Sequence, residues 1–224
     1  MTFSNEWEHV YQRGEQNSIW PWSDLVGYVM RYARPSGEGF RVLELGFGAG
    51  ANVSFFLSRG VQYFGTEGSA TAVERVRERF AAQPNFHAAC CDFTSTIPFE
   101  GPFDLAVDRS SLTHNDTASI QRCLALLHDR LPPGAKLIGI DWFSTGNGDF
   151  PQGREQGDYY TRGNFASGQF QNVGTVHFFD EAHLSGLLSG AGFSLERLEH
   201  KRSEMAVPAG ESSMAWWNFV AVRT

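Results

Sequence analysis

Residues 41–50, Arg-Val-Leu-Glu-Leu-Gly-Phe-Gly-Ala-Gly, constrain the fold more than any other stretch of this chain. A short apolar run enters three alternating glycines, Gly46, Gly48 and Gly50, and a helical pattern begins near Ala51. Glycine is needed where the backbone turns at positive φ, and where a ligand approaches main chain with no Cβ in the way. A strand, a glycine turn and a helix in succession form the nucleotide-binding corner of a doubly wound α/β sheet.

Strand and helix signals then alternate, as a parallel sheet covered by helices requires. The patterns predict strands over 41–45, 61–66, 86–91, 103–107 and 135–140, with a helix over 51–58. Ser69 and Asp116 are expected helix caps, the second ahead of a buried stripe of Ile120, Leu124, Leu127 and Leu131. Asp180 caps a further predicted helix ending at Gly192, and 193–198 and 215–222 read as an antiparallel hairpin. Residues 144–175 hold seven of the 24 glycines and no sustained periodicity, which predicts a long functional loop without regular structure.

With 224 residues, 42% hydrophobic and 19% charged, the chain suits one globular domain. A net charge of -7 and the absence of a Lys/Arg run argue against a nucleic-acid partner. Three cysteines without a CxxC pair, no basic-then-apolar leader and no apolar run near the ~20 residues of a membrane span give a cytoplasmic expectation with no membrane partner.

The corner admits three ligand classes. A phosphate loop needs a lysine after the glycines, and none follows. A dinucleotide fingerprint is Gly-x-Gly-x-x-Gly, whereas this chain has Gly-x-Gly-x-Gly, with Glu44 placed where pyrophosphate would be repelled. A ligand bearing positive charge suits Glu44 better.

Glu44-Leu-Gly46-Phe-Gly48-Ala-Gly50 resembles the first motif of the class I S-adenosylmethionine-dependent methyltransferases. The resemblance continues in order through Glu67 after the second strand, Asp92-Phe93 after the third, 103–108 in the fourth, and Leu131-Pro-Pro-Gly134 before the fifth. It covers about residues 40–143 well and 178–222 in outline. Asp108-Arg-Ser-Ser-Leu-Thr-His114 and Val176-His-Phe-Phe-Asp-Glu look like bacterial small-molecule methyltransferases, some of which act in surface-sugar pathways.

The resemblance implies a seven-stranded, doubly wound, mostly parallel α/β sheet in strand order 3-2-1-4-5-7-6. Helices cover both faces and an antiparallel hairpin closes the sheet. Residues 1–224 are then one methyltransferase domain, with 1–35 covering the cofactor and 144–175 forming a substrate loop. Implied cofactor contacts are Glu44, Gly46, Gly48, Gly50, Glu67, Gly68, Asp92, Phe93 and Asp108, with Arg13 as a fork for the methionine carboxylate. His114 and Asp141 are the candidate general bases, with Asp108 beside them at the strand ends and His177 a third choice. Tyr159, Tyr160, Phe165 and Phe170 are candidate acceptor-loop aromatics. The expected cofactor is S-adenosylmethionine, leaving as S-adenosylhomocysteine, with a small-molecule acceptor and no metal. The competing functions are a nicotinamide-dependent oxidoreductase and a non-catalytic S-adenosylmethionine-binding protein.

Overall fold

A computed structural model describes residues 5–208 and 213–224. Helices α1 (Asn5–Gln12) and α2 (Ser23–Tyr32) precede strand β1 (Arg41–Leu45). There follow α3 (Val53–Ser58), β2 (Gln62–Glu67), α4 (Ala70–Arg79), β3 (Phe86–Cys90), β4 (Leu105–Arg109), α5 (Thr117–Arg130) and β5 (Lys136–Phe143). Next come three short strands, β6 (Arg154–Gln156), β7 (Asp158–Gly163) and β8 (Val176–His177). Helix α6 (Glu181–Gly190) and the hairpin β9 (Phe193–Glu204) and β10 (Ser213–Arg223) complete the chain.

The main sheet runs β3-β2-β1-β4-β5-β10-β9, the expected order once the three short strands are set apart. Its first five strands are parallel, and β10 pairs antiparallel with both β5 and β9. Residues alternate across a strand, so the central strands, buried on both faces, feed two separate cores. Leu43, Leu45, Ala106 and Leu137 pack on one face with α5 and α6. Val42, Leu105, Val107, Ile138 and Ile140 pack on the other with α2, α3 and α4. Each fully buried aliphatic side chain contributes about 1.5–3 kcal/mol of transfer free energy, and the stripe expected on α5 is buried in full.

Local chemistry sets the boundaries. Ser69 and Asp116 cap α4 and α5 by accepting from Ala72 N at 3.1 Å and Ser119 N at 2.7 Å. Asp180 does the same for α6 from His183 N at 2.7 Å. Strand β4 begins two residues later than the pattern suggests, because Asp104 spends its carboxylate on Arg41 N, 2.8 Å away. Strand β5 extends beyond Ile140 because β10 pairs with it as far as Phe143. The hairpin is also longer than expected: β9 is a mostly exposed, charged edge strand, which hides its length from any search for apolar alternation. The Pro-Gly turn expected between its strands falls largely in 209–212, outside the described residues.

Residues 144–175 correct the sequence reading more substantially. They are not a structureless loop, because β6 and β7 lie within them and form an antiparallel sheet with β8. Phe150, Phe165, Phe170, Val176 and Phe178 form a small separate core beneath it. These aromatics come from different turns and share no period, so the sequence alone gives no strand signal.

Candidate functional site

A cavity of about 500 Å³ crosses the carboxyl ends of the strands, from Asp92 beyond β3 to Trp216 in β10. Those strands are five sheet spacings apart, about 24 Å at roughly 4.8 Å per strand. Open α/β sheets bind ligands at this edge, where the strand order reverses beside β1.

The glycine corner forms one end. Gly46, Gly48 and Gly50 all take positive φ, at +58°, +56° and +75°. A Cβ on Gly48 would stand 2.6 Å from the Tyr11 hydroxyl, so α1 closes directly over this turn. Gly50 does not line the cavity; a Cβ there would press to 3.0 Å on Val76, so this glycine lets α4 pack against the turn.

Glu44 lies beneath the corner, buried, and accepts from Asn52 Nδ2 at 2.8 Å and from the Tyr63 hydroxyl at 2.6 Å. Burial pushes its carboxyl up to about 7, against those two hydrogen bonds, which favour the charged form. Glu67, at the end of β2, accepts from Gly48 N and Ser69 N, each at 2.9 Å. Burial also raises its pKa. The Gly68 amide also bonds this carboxylate, so three of its roughly four lone-pair sites are engaged. Asp92 accepts from Thr94 N and Ser95 Oγ, and stands with Phe93 at the far rim.

Toward β5 and β10 the lining changes character. His114 is half-buried, with Nδ1 3.3 Å from the Thr175 carbonyl and its ring edge-on to Trp7 and Phe143. Burial lowers its pKa to about 4, so it is a neutral imidazole at pH 7. The bond to Thr175 assigns the proton to Nδ1 and leaves Nε2 as the basic nitrogen. Asp141, at a φ of +57°, pairs with Arg109 at 2.7 Å, and that guanidinium stacks 3.6 Å from the centre of the Trp22 ring.

The structure therefore brings Glu44, Gly46, Gly48, Glu67, Asp92, Phe93, His114 and Asp141 to one cavity. Other expected site residues lie elsewhere. Asp108 is buried and accepts from Ser111 Oγ, Leu112 N and Trp142 Nε1. It anchors the turn after β4 and does not line the cavity. Arg13 is exposed and forked onto Glu15 at 2.8 and 3.0 Å, away from the cavity. Gly68 is also outside the lining, and its carbonyl is 3.5 Å from Cys90 Sγ.

His177, the third base candidate, is enclosed between Thr161 and His183, at 3.0 and 2.9 Å, and does not line the cavity. Of the loop aromatics only Phe170 reaches the cavity. Phe165 is core, Tyr160 stacks on His183 and Tyr159 is exposed.

Sequence reasoning passed over Asn52, Arg109, Asn147 and Trp216, all of which line the cavity. Asn52 and Arg109 directly follow recognised motifs, and that position was the available signal. Asn147 and Trp216 lie outside any motif, brought in by the pairing of β5 with β10.

Residues 42–134 match the family model described as a methyltransferase domain. Those residues, less than half of the chain, carry a methyltransferase domain. The match decides among the ligand classes left by the glycine corner and sets aside the oxidoreductase alternative, and the fold agrees. The methyltransferase superposes on a SAM-dependent methyltransferase from Methanosarcina mazei with a TM-score of 0.67 and 17% identity, covering 91% of this chain and 98% of that one.

It also superposes on the 1,6-didemethyltoxoflavin-N1-methyltransferase of Burkholderia thailandensis, solved with its acceptor and S-adenosylhomocysteine. There the TM-score is 0.63 at 18% identity, over 90% of this chain and 77% of that one. Phosphoethanolamine N-methyltransferase 2 of Haemonchus contortus, solved with S-adenosyl-L-methionine, gives 0.65 at 17%, over 97% of this chain and 56% of that one. At these identities the likeness is one of fold. No curated protein matches the methyltransferase by sequence. Among the described residues no helix is long and apolar enough to cross a membrane.

Proposed function

We propose that this methyltransferase methylates an oxygen of a small-molecule acceptor, a sugar or other secondary metabolite, with His114 taking the acceptor's proton. The observation that carries this reading is the state of His114. It is a neutral imidazole lining the cavity, with Nδ1 turned to the Thr175 carbonyl and Nε2 left without a hydrogen bond among the described residues. A hydroxyl must lose its proton as its oxygen is alkylated, and a positioned neutral imidazole accepts one.

S-adenosylmethionine, when bound, supplies an electrophilic methyl on a sulfonium sulfur and leaves as S-adenosylhomocysteine. On this reading Glu67 meets the ribose at the end of β2 and Asp92 the adenine amine beyond β3. Glu44 lies beneath the cofactor's cationic end, and a bound sulfonium there would favour the charged form of its carboxyl. Gly46 and Gly48 give main-chain access, and Tyr11 covers them. Residues 1–224 thus serve as one domain, with 1–35 over the cofactor and 144–175 over the acceptor. The chain's remaining contribution is to hold the acceptor oxygen within about 3–3.5 Å in line with the methyl.

Asp141 is the weaker base candidate, because its carboxylate is already engaged by Arg109 at 2.7 Å. The reading is tested by incubating the enzyme with methyl-labelled cofactor and hydroxylated or aminated small molecules. Label in an ether that falls with His114→Ala supports it; label only in amines, unaffected by that change, overturns it.

A further inference from the structure

Three groups pack on the His114 ring, each from a different segment. The Thr175 carbonyl, just ahead of β8, meets Nδ1 at 3.3 Å. Phe143 in β5 stands edge-on with ring centres 5.8 Å apart, and Trp7 in α1 stands edge-on at 4.7 Å. None of the three carries a titratable charge, so they act on the imidazole by burial and orientation.

Trp7 differs from the other two in what its element does besides. Tyr11 follows one helical turn later on the same face of α1, its ring centre 6.1 Å from that of Trp7. The Tyr11 hydroxyl covers Gly48, and both rings line the cavity. One short helix therefore touches the candidate base and the glycine corner together.

A helix of eight residues is not stable alone, so its contacts with the rest of the fold decide where Trp7 stands. Glu8 accepts from Ser69 Oγ, Thr71 N and Thr71 Oγ1 at the start of α4. Arg75 in α4 donates to the Tyr11 carbonyl at 2.7 Å. The anchor also reaches the corner, because Ser69 N donates to Glu67 at 2.9 Å.

We propose that Trp7 is the positioning residue of His114, and that α1, anchored by Glu8 on the start of α4, ties the orientation of that imidazole to the cofactor corner. The proposal rests on the reading of His114 as the base. Misplacing a reacting group by about 1 Å can cost roughly 100-fold in rate. A ring packed on one side of the imidazole thus governs turnover without itself exchanging a proton.

The test reads His114 directly, by NMR titration of the imidazole Cε1–H signals from pH 8 to 5. It uses the full-length enzyme loaded with S-adenosylhomocysteine, and the His114 signal is the one lost in His114→Ala. In the wild type that signal should stay fixed, because the imidazole is neutral throughout this range. Trp7→Ala opens one side of the ring, and the signal should then titrate inside the window, toward the ordinary 6.5. Trp7→Phe, which restores an aromatic face, should return it to its fixed position. Glu8→Ala, outside the cavity lining, should move it in the same direction by a smaller amount.

A signal that stays fixed in Trp7→Ala, or titrates alike in Trp7→Ala and Trp7→Phe, overturns the positioning role. One that stays fixed in Glu8→Ala overturns the link through α1. Turnover of the hydroxylated molecule labelled in the preceding assay gives a second reading. Trp7→Ala should lower it about 10- to 100-fold in the wild-type background, and less than about threefold in His114→Ala, because the two residues act as one unit. Equal losses in both backgrounds overturn the proposal. If His114→Ala alone leaves labelling unchanged, the base reading fails instead, and the titration still decides whether Trp7 holds the ring.

Discussion

The two ends of the cavity are built on opposite plans. At the glycine corner, consecutive residues of β1 and its turn form the wall, and the buried carboxylates are already matched. Glu44 has Asn52 and Tyr63, and Glu67 has three backbone amides. At the β5–β10 end the wall comes from segments far apart in sequence, among them Arg109 in β4, Asn147 beyond β5 and Trp216 in β10. The contrast teaches how such an enzyme separates its tasks. On the proposed reading the cofactor is met by groups ordered by near neighbours in sequence, and the acceptor by groups brought together through long-range strand pairing.

Substitutions can break this comparison, starting with the largest effect. His114→Ala should lower kcat about 10²–10⁴-fold, the usual contribution of a general base, and leave cofactor affinity within a factor of two to three. Steady-state kinetics beside calorimetry check this, and unchanged kcat removes the base assignment. Glu67→Ala should weaken cofactor binding by about 100-fold, since it removes the ribose acceptors and frees the Gly48 amide. Calorimetry reads it directly.

Asp108→Ala should instead act on the fold. It strands three donors, at a cost of about 2–4 kcal/mol in a denaturant titration. A specific loss of cofactor affinity with normal stability would restore Asp108 to the site. Arg13→Ala, on the exposed Glu15 pair, should leave both cofactor affinity and the denaturation midpoint unchanged.

Acid titration sharpens the same contrast. Burial lowers His177 to about 3 and His114 to about 4 from an ordinary 6.5, so the unfolded chain takes up those protons first. Their contribution to stability is lost as pH falls from about 6.5 toward 3, with a slope of up to about 1.4 kcal/mol per pH unit for each site.

Glu44, raised to about 7 from 4.5, and Asp108, raised to about 6 from 3.8, bind protons first in the folded state. They add stability as pH falls through that range. The opposing slopes should leave the cofactor-free protein nearly flat in stability from about pH 6.5 to 4.5, and falling steeply below. Glu44→Gln removes part of the compensation, so the fall should begin nearer pH 6.5. An identical pH profile for that variant contradicts the buried, proton-binding state of Glu44.

Legibility in the sequence divides along the same line. The corner, the caps and the stripe on α5 were readable because each depends on neighbours a few residues away. Glu67 and Asp92 were readable as ends of apolar strands. Asp108 and Arg13 fall outside the cavity lining for a physical reason: sequence places a side chain at a strand end or near a loop, but not the direction it turns. Asp108 turns inward to Trp142, and Arg13 outward to Glu15.

The insertion hid its strands because four phenylalanines, at 150, 165, 170 and 178, collapse into a core without periodic spacing. Trp216 and Asn147 were invisible because their place depends on β10 pairing with β5 across more than 70 residues of chain.

The central claim is that one cavity holds the cofactor at the corner and directs its methyl toward His114. A crystal structure of the complex with S-adenosylhomocysteine tests it most directly. The account predicts ribose hydroxyls on the Glu67 carboxylate and the sulfur facing the space between His114 and Arg109. A ribose seated away from Glu67, or a sulfur turned from His114, would contradict it.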